Sequence, residues 1–316
     1  MLLDTKDDAN VQNRFEAALA SFVERVKADR YIIAAILFGS LSYDRVWEKS
    51  DIDLMLVSAD KSTVSGTGGS ERAFALVENE VNIHAILQTR SQFKKMIEGS
   101  LQSSFMHSSF VRSRLLFTRD ETIRELYANI DHLGARDQQK QLFHAAASVL
   151  PQVYKAEKFL RVKADPQYSF IWVTYAYDGL AQIEVFLNHQ IAGRDVMHQA
   201  LSLNPEFFKA IYTDLLDRKK TAKNLEIVLR LIDDYLTEKI PLLFAPLLDY
   251  LASAGSFRSA TEIEYWLANQ MGIQGAITAC EWLADKGVIA KVSTPVRLTT
   301  KSQTEFEELA FYYQKD

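Results

Sequence analysis

Gly39, Ser40, Asp51 and Asp53 stand within one stretch, LFGSLSYDRVWEKSDIDLMLV at residues 37–57, and their types and spacing suit one kind of chemistry. Successive side chains of an extended strand point to opposite faces, so Asp51 and Asp53 leave one face together while Ile52 and Leu54 point the other way into a core. Two neighbouring carboxylates repel, and their proximity is tolerated where a divalent cation sits between them. Carboxylates plus nucleotide phosphate oxygens are the ligand set of Mg²⁺, which makes Asp51 and Asp53 the candidate metal ligands and the candidate catalytic acids. Gly39, which closes the preceding apolar run, lets the backbone approach a triphosphate closely. Ser40 offers a hydroxyl and an amide at the start of a helix. Read alone, an Asp-x-Asp is more often a solvated strand end. The apolar run, the Gly-Ser and the spacing together argue against that reading here.

The flanking patterns supply the elements that must hold these residues. Phe15, Ala18, Leu19, Phe22 and Val26 recur at helical spacing over residues 13–27. Residues 31–38 form a short, β-branched apolar run that suits a buried strand, followed by a short helix at 41–47 and a second strand at 52–57. SADKSTVSGTGGS reads as a surface loop by composition. Strands are expected at 73–77 and 81–87 around a tight turn at Glu78-Asn79-Glu80, then helices at 91–98 and 103–112. An edge strand at 114–118 and a helix capped by Asp120 complete an α/β (α+β) unit with a mixed sheet.

Residues 138–162, 169–189, 205–218 and 221–236 carry amphipathic helical patterns, and a helical bundle is the natural arrangement. Pro241 marks a boundary. After it come helices at 242–252 and 260–270, a turn at Met271-Gly272-Ile273, a helix at 276–286, strands at 288–292 and 296–299, and a closing helix at 303–313. That order predicts a winged helix-turn-helix. The expected division is therefore an α/β domain at 1–134, an all-α bundle at 135–240 and a winged helix-turn-helix domain at 241–316.

The stretch at 37–57 resembles the DNA polymerase β-like nucleotidyltransferase superfamily, whose signature is a Gly-Ser or Gly-Gly after a strand, a spacer, then Asp-x-Asp. The resemblance implies that Asp51 and Asp53 hold two metal ions, one activating an acceptor hydroxyl and one neutralising the leaving pyrophosphate. It implies that Gly39 and Ser40 hold the β- and γ-phosphates of an NTP, with ATP the expected substrate and Mg²⁺ the expected cofactor. The superfamily also places a third carboxylate on a neighbouring strand, where this chain has Asn82. Glu80 shares the parity of Asn82 and His84 and is the candidate to supply the missing acid, although it also reads as a plain turn residue. His84 has the parity to reach the same face, and a surface or core role is the plainer reading. The expected function is transfer of a nucleoside monophosphate to an unidentified hydroxyl acceptor. The alternative is a nucleotide-binding regulator with little or no turnover, signalling through the C-terminal domain.

The helical region resembles the C-terminal domains of aminoglycoside-type nucleotidyltransferases, which leaves Glu157, Asp178 and Glu184 as acceptor-side candidates beside their ordinary reading as solvated helix faces. The domain order resembles a bacterial family of nucleotidyltransferase-like proteins with a C-terminal helix-turn-helix. Arg194 and His198 are too closely spaced for the Arg and His of the small helical ribonucleases that often accompany nucleotidyltransferases, and the remaining histidines show no His-x-x-x-His spacing.

A net charge of -5 gives no global attraction to phosphate backbones. Residues 241–316 hold six Lys and Arg against nine Asp and Glu, and only Gln274 and Thr278 of the expected recognition helix look like base readers. A protein-interaction or packing module is therefore favoured over DNA binding for that domain, with Lys286, Lys291 and Arg297 the residues that would argue otherwise. The lone cysteine, Cys280, excludes an intrachain disulfide and a cysteine-based zinc site and reads as a buried thiol. No apolar run reaches the roughly 18 residues of a membrane span, so a cytoplasmic protein without membrane contact is expected.

Overall fold

A computed structural model describes residues 5–43, 46–60, 72–100, 109–129 and 135–314. Most of the expected Ser/Gly-rich loop, at 61–71, and most of the helix expected at 103–112 lie outside the described residues. The chain divides into two units, residues 1–133 and 134–316.

The N-terminal unit runs α1 (Thr5–Ala28), β1 (Ile32–Phe38), α2 (Ser40–Tyr43), β2 (Ile52–Ser58), β3 (Arg72–Glu78), β4 (Val81–Thr89), α3 (Arg90–Ser100), β5 (Arg114–Thr118) and α4 (Glu121–Ala128). Its strands form one mixed sheet in the order β3-β4-β2-β1-β5, with β2 and β4 parallel and the other neighbours antiparallel. The sheet is a middle layer. One face packs Ala35, Leu37, Ile52, Leu54, Leu56, Ile83 and Ala85 with Phe15, Leu19 and Phe22 of α1. The other packs Ala34, Ile36, Met55 and Val57 with Phe93 and Ile97 of α3 and Ile123 of α4. Apolar side chains on both faces explain why β1 and β2 read as unbroken hydrophobic runs rather than as alternating ones.

The β3–β4 hairpin turns on Asn79 and Glu80, both at positive φ (48° and 63°), which is what a two-residue turn between twisted strands requires. Glu78, just before it, is buried and accepts hydrogen bonds from Ser21 Oγ (2.6 Å) and Arg25 Nη1 (2.5 Å), tying the hairpin to α1. Asp120 caps α4 by accepting from the Thr122 amide at 2.9 Å, as its place in the sequence predicts.

The second unit begins with two long helices, α5 (Ala135–Arg161) and α6 (Pro166–Leu187). They touch closely at Gly179, where a Cβ would meet Val149 Cγ2 at 2.6 Å, and Ser169 Oγ donates to the Ala156 carbonyl at 2.8 Å. After α7 (Val196–Leu203), the helix expected at 205–218 is three pieces: α8 (Pro205–Phe208), a π-helical turn at Lys209–Thr213, and α9 (Asp214–Asp217). Then follow α10 (Ala222–Glu238), α11 (Ile240–Leu243) and α12 (Ala245–Ala254). The chain ends with β6 (Arg258–Ser259), α13 (Ala260–Met271), α14 (Ile277–Asp285), β7 (Ala290–Val296) and β8 (Phe306–Tyr312), the strands forming an antiparallel sheet in the order β6-β8-β7.

Two expectations need correction here. The closing helix at 303–313 is the strand β8; its apolar residues fit either period, and pairing with β6 and β7 decides, leaving Ala310 and Phe311 fully buried. The strand expected at 296–299 is absent, because β7 already ends at Val296. Within the second unit one cluster of buried residues runs from Leu142 through Leu243 and Trp282 to Phe311.

Cys280 is buried, and burial pushes its thiol up to about 12. Among the described residues, no helix is long and apolar enough to cross a membrane.

Candidate active site

The central strand β2 positions the two carboxylates. Ile52, Leu54 and Leu56 point to the α1 face, so Asp51 and Asp53 emerge on the opposite face at the strand's beginning. Both are partly exposed, with 32% and 48% of the side chain accessible, so they can receive a ligand and are not neutralised in the interior.

β1 runs antiparallel to β2 and pairs Phe38 with Asp53, which delivers Gly39 directly beside the Asp53 carboxylate. Gly39 has φ +73°, and a Cβ there would run into Asp53 Oδ2. Glycine is thus required twice, by the backbone and by the close approach. The bend is closed by Ser42, whose amide and hydroxyl both donate to the Gly39 carbonyl at 3.1 and 2.7 Å. Ser40 opens α2, the single turn that follows. On the other side, Trp47 and Ser50 close the turn leading into Asp51: the Ser50 amide donates to the Trp47 carbonyl at 2.9 Å, and the Trp47 amide donates to Ser50 Oγ at 3.1 Å.

The parallel neighbour β4 pairs His84 with Asp53 and Ile83 with Ile52. Its outward row beside the carboxylates is therefore Asn82 and His84, both exposed. His84 Nδ1 lies 3.7 Å from Asp51 Oδ2 and 3.8 Å from Asp53 Oδ1. These separations exceed a hydrogen bond and describe a charge contact that exists when the imidazole is protonated. Glu80 is not brought to this row. It sits at φ +63° in the hairpin turn before β4 begins, and among the described residues no group of three or more His, Cys, Asp or Glu is arranged to hold a metal ion.

Sequence reasoning singled out Asp51, Asp53, Gly39 and Ser40, and the structure gathers them where the end of β1 meets the beginning of β2. It left His84 with a plainer role because parity alone cannot say which residue of β4 lies beside which residue of β2. The available signal was its shared parity with Asn82. The register supplied the rest.

The donors suit a hard cation in part. Two carboxylates leave most positions of an octahedral ion to water and phosphate oxygens, which is how Mg²⁺ is usually held. The space beside Asp53 that a side chain at residue 39 would fill is kept open. An imidazole nitrogen is not a ligand Mg²⁺ seeks, so His84 is a neighbour of such an ion and not part of its shell.

Of the three acids considered on the helices, Glu184 is buried and fully engaged. It accepts from Tyr235 Oη at 2.9 Å, Asn188 Nδ2 at 3.1 Å and Asn204 Nδ2 at 3.2 Å. Glu157 is paired with Arg161. Burial raises the Asp178 carboxyl, against a hydrogen bond from Gln182 at 2.6 Å.

No curated protein matches the chain. The crystal structure of a nucleotidyltransferase-like protein from Exiguobacterium sibiricum 255-15 superposes with a TM-score of 0.64, covering 95% of this chain and 99% of that one. At 14% identity the likeness is one of fold. Residues 22–122, which span all five strands of the N-terminal sheet and both aspartates, match the family model described as polymerase beta, nucleotidyltransferase.

Proposed function

We propose that the N-terminal unit binds an NTP with Mg²⁺ and transfers its nucleoside monophosphate to a hydroxyl acceptor. The observation that carries this reading is the meeting of Asp53 with the glycine bend. Two carboxylates share one strand face, and one of them lies where Gly39 leaves no room for a side chain. Asp51 and Asp53 would hold the ion, which when bound neutralises triphosphate charge and polarises the reacting phosphoryl group. Gly39 admits the phosphates to the backbone, and the Ser40 hydroxyl and amide donate to their oxygens.

A second reading is favoured by one specific observation. The row on β4 beside the aspartates is Asn82 and His84, with no carboxylate. A nucleotide-binding regulator that holds Mg–NTP with slow or no turnover fits that row, because an acid to receive the acceptor's proton is missing.

We read the last 76 residues as a winged helix-turn-helix and residues 135–240 as the helical domain on which it is built. The order helix, short strand, helix, helix and two-stranded wing supports this, with the short strand pairing at the wing's base.

The test uses the full chain with ATP labelled at the α-phosphate, Mg²⁺, and a panel of small-molecule, protein and RNA acceptors. Labelled product that disappears in Asp51→Ala and Asp53→Ala supports transfer. Mg²⁺-dependent ATP binding without pyrophosphate release selects the regulator, and failure to bind ATP sinks both readings.

A further inference from the structure

We infer that the helix-turn-helix of this chain is closed to DNA by the chain's own carboxylates, and that its recognition helix serves as a strut of the helical unit. The inference rests on reading α13–α14 as a helix-turn-helix.

A helix that reads DNA presents its N-terminal turn and one polar face to the major groove, while basic side chains around it neutralise phosphates. Here those surfaces are largely occupied, with Gln274 the base-reading candidate that stays exposed. At the start of α14 the amides of Gly275 and Ile277 donate to the Glu264 carboxylate at 2.9 and 3.1 Å, so an anion from α13 fills the place a backbone phosphate would take. Every residue of α14 except Asp285 is buried or half-buried, including Thr278, one of the two candidate base readers.

Three of the region's cations are engaged as well. Lys291 pairs with Glu281 at 3.3 Å, Arg297 on the wing with Glu305 at 2.9 Å, and Lys286 with Asp233 of α10 at 2.5 Å. Exposed pairs of this kind are individually weak and phosphates can compete for them. The surrounding charge decides the contest: with nine acids against six Lys and Arg over residues 241–316, a polyanion meets net repulsion.

The same helix is tied to its own unit. Trp282 is buried against Phe244, with ring centroids 5.7 Å apart, and its indole N–H donates to Asp233 Oδ1 at 3.3 Å. Asp233 therefore receives both Trp282 and Lys286, and at the helix end Tyr154 of α5 donates to Asp285 at 3.4 Å. These contacts hold the C-terminal half of α14 against its own unit.

The test has two arms on the full chain. In the first, anisotropy of a labelled 30-base-pair mixed-sequence duplex is followed at low salt, with protein raised through about 10 µM, inside the range where DNA-binding proteins hold nonspecific duplex. No saturable change is expected. Salt-sensitive binding that disappears in a Lys286→Ala, Lys291→Ala, Arg297→Ala variant overturns the closure while upholding the helix-turn-helix reading. Binding that survives that variant belongs to another surface and leaves the closure standing. In the second arm, Asp233→Ala is expected to lower the Tm of the helical unit by about 2–4 °C, the shift of lost half-buried polar contacts in a unit of this size. An unchanged Tm overturns the strut.

Discussion

Replacing Gly39 by alanine puts a methyl group against the Asp53 carboxylate. Its Cβ would collide with Oδ2 and stand tight against Cγ of Asp53 at 3.2 Å, so the carboxylate must turn and its Cγ give by a few tenths of an ångström. The backbone adds its own term, because Gly39 sits at φ +73°. A left-handed conformation costs a residue bearing Cβ about 1–2 kcal/mol. Forcing Asp53 off its rotamer adds about 0.5–1.5 kcal/mol, so Gly39→Ala should destabilise the N-terminal unit by about 2–3 kcal/mol. Gly255→Ala separates the two terms, since Gly255 has φ +61° and nothing within 4 Å of a Cβ. It should show the backbone cost by itself, about 1–2 kcal/mol. The functional effect should exceed the loss of stability. With Asp53 rotated, Mg²⁺-dependent ATP affinity should fall about 10–100-fold, the size of effect seen when a ligand's supporting contacts are changed. Urea unfolding measures the first quantity and isothermal titration of ATP with Mg²⁺ the second. The double variant Gly39→Ala, Asp53→Ala should be more stable than the separate losses add up to, because the collision is gone. Wild-type ATP affinity in Gly39→Ala, or a stability loss no larger than that of Gly255→Ala, would refute the reasoning.

Other outcomes follow from particular contacts. Asn82→Asp places an acid on the β4 row beside the aspartates, and if the unit is a slow transferase, pyrophosphate release should rise by about 10²-fold or more; an unchanged rate in a folded variant counts against a missing-acid explanation. Burial works to raise the Asp120 carboxyl, but hydrogen bonds from Arg90 and Thr122 outweigh it and hold the group at about 2. A depressed folded value gives stability that is present above the ordinary carboxylate range and lost as pH falls toward about 2. Acid unfolding of the N-terminal unit should therefore steepen between about pH 4 and 2, and Asp120→Asn should flatten that limb in a circular-dichroism titration. Tyr235→Phe removes one of three donors from buried Glu184 and should cost the helical unit about 1–3 kcal/mol in urea unfolding, whereas a neutral result would mean that Glu184 is satisfied without it.

How much of this was legible in the sequence depended on the range of the interactions. Period and punctuation are local, and they placed β1, β2, the β3–β4 hairpin, the Asp120 cap and the long helices α5, α6 and α10 close to where they stand. The placement of Asp51 and Asp53 was legible for the same reason: strand parity sends them to one face whatever the partner strand. Parity could not say what lies across from them. The register of β4 against β2 brought His84 to Asp53 and left Glu80 in the turn, and register is set by packing of both strands against α1. β8 read as a helix because its apolar residues satisfy two periods, and only pairing on both edges made it a strand. β6 has two residues and no pattern to read. Pro241 is a local signal, and the buried cluster from Leu142 to Phe311 runs past it. Residue types and spacing thus determined the two acids, the glycine bend and most of the elements. Burial between segments far apart in the chain decided which side chains meet, because only tertiary packing removes the alternatives that local patterns leave equal.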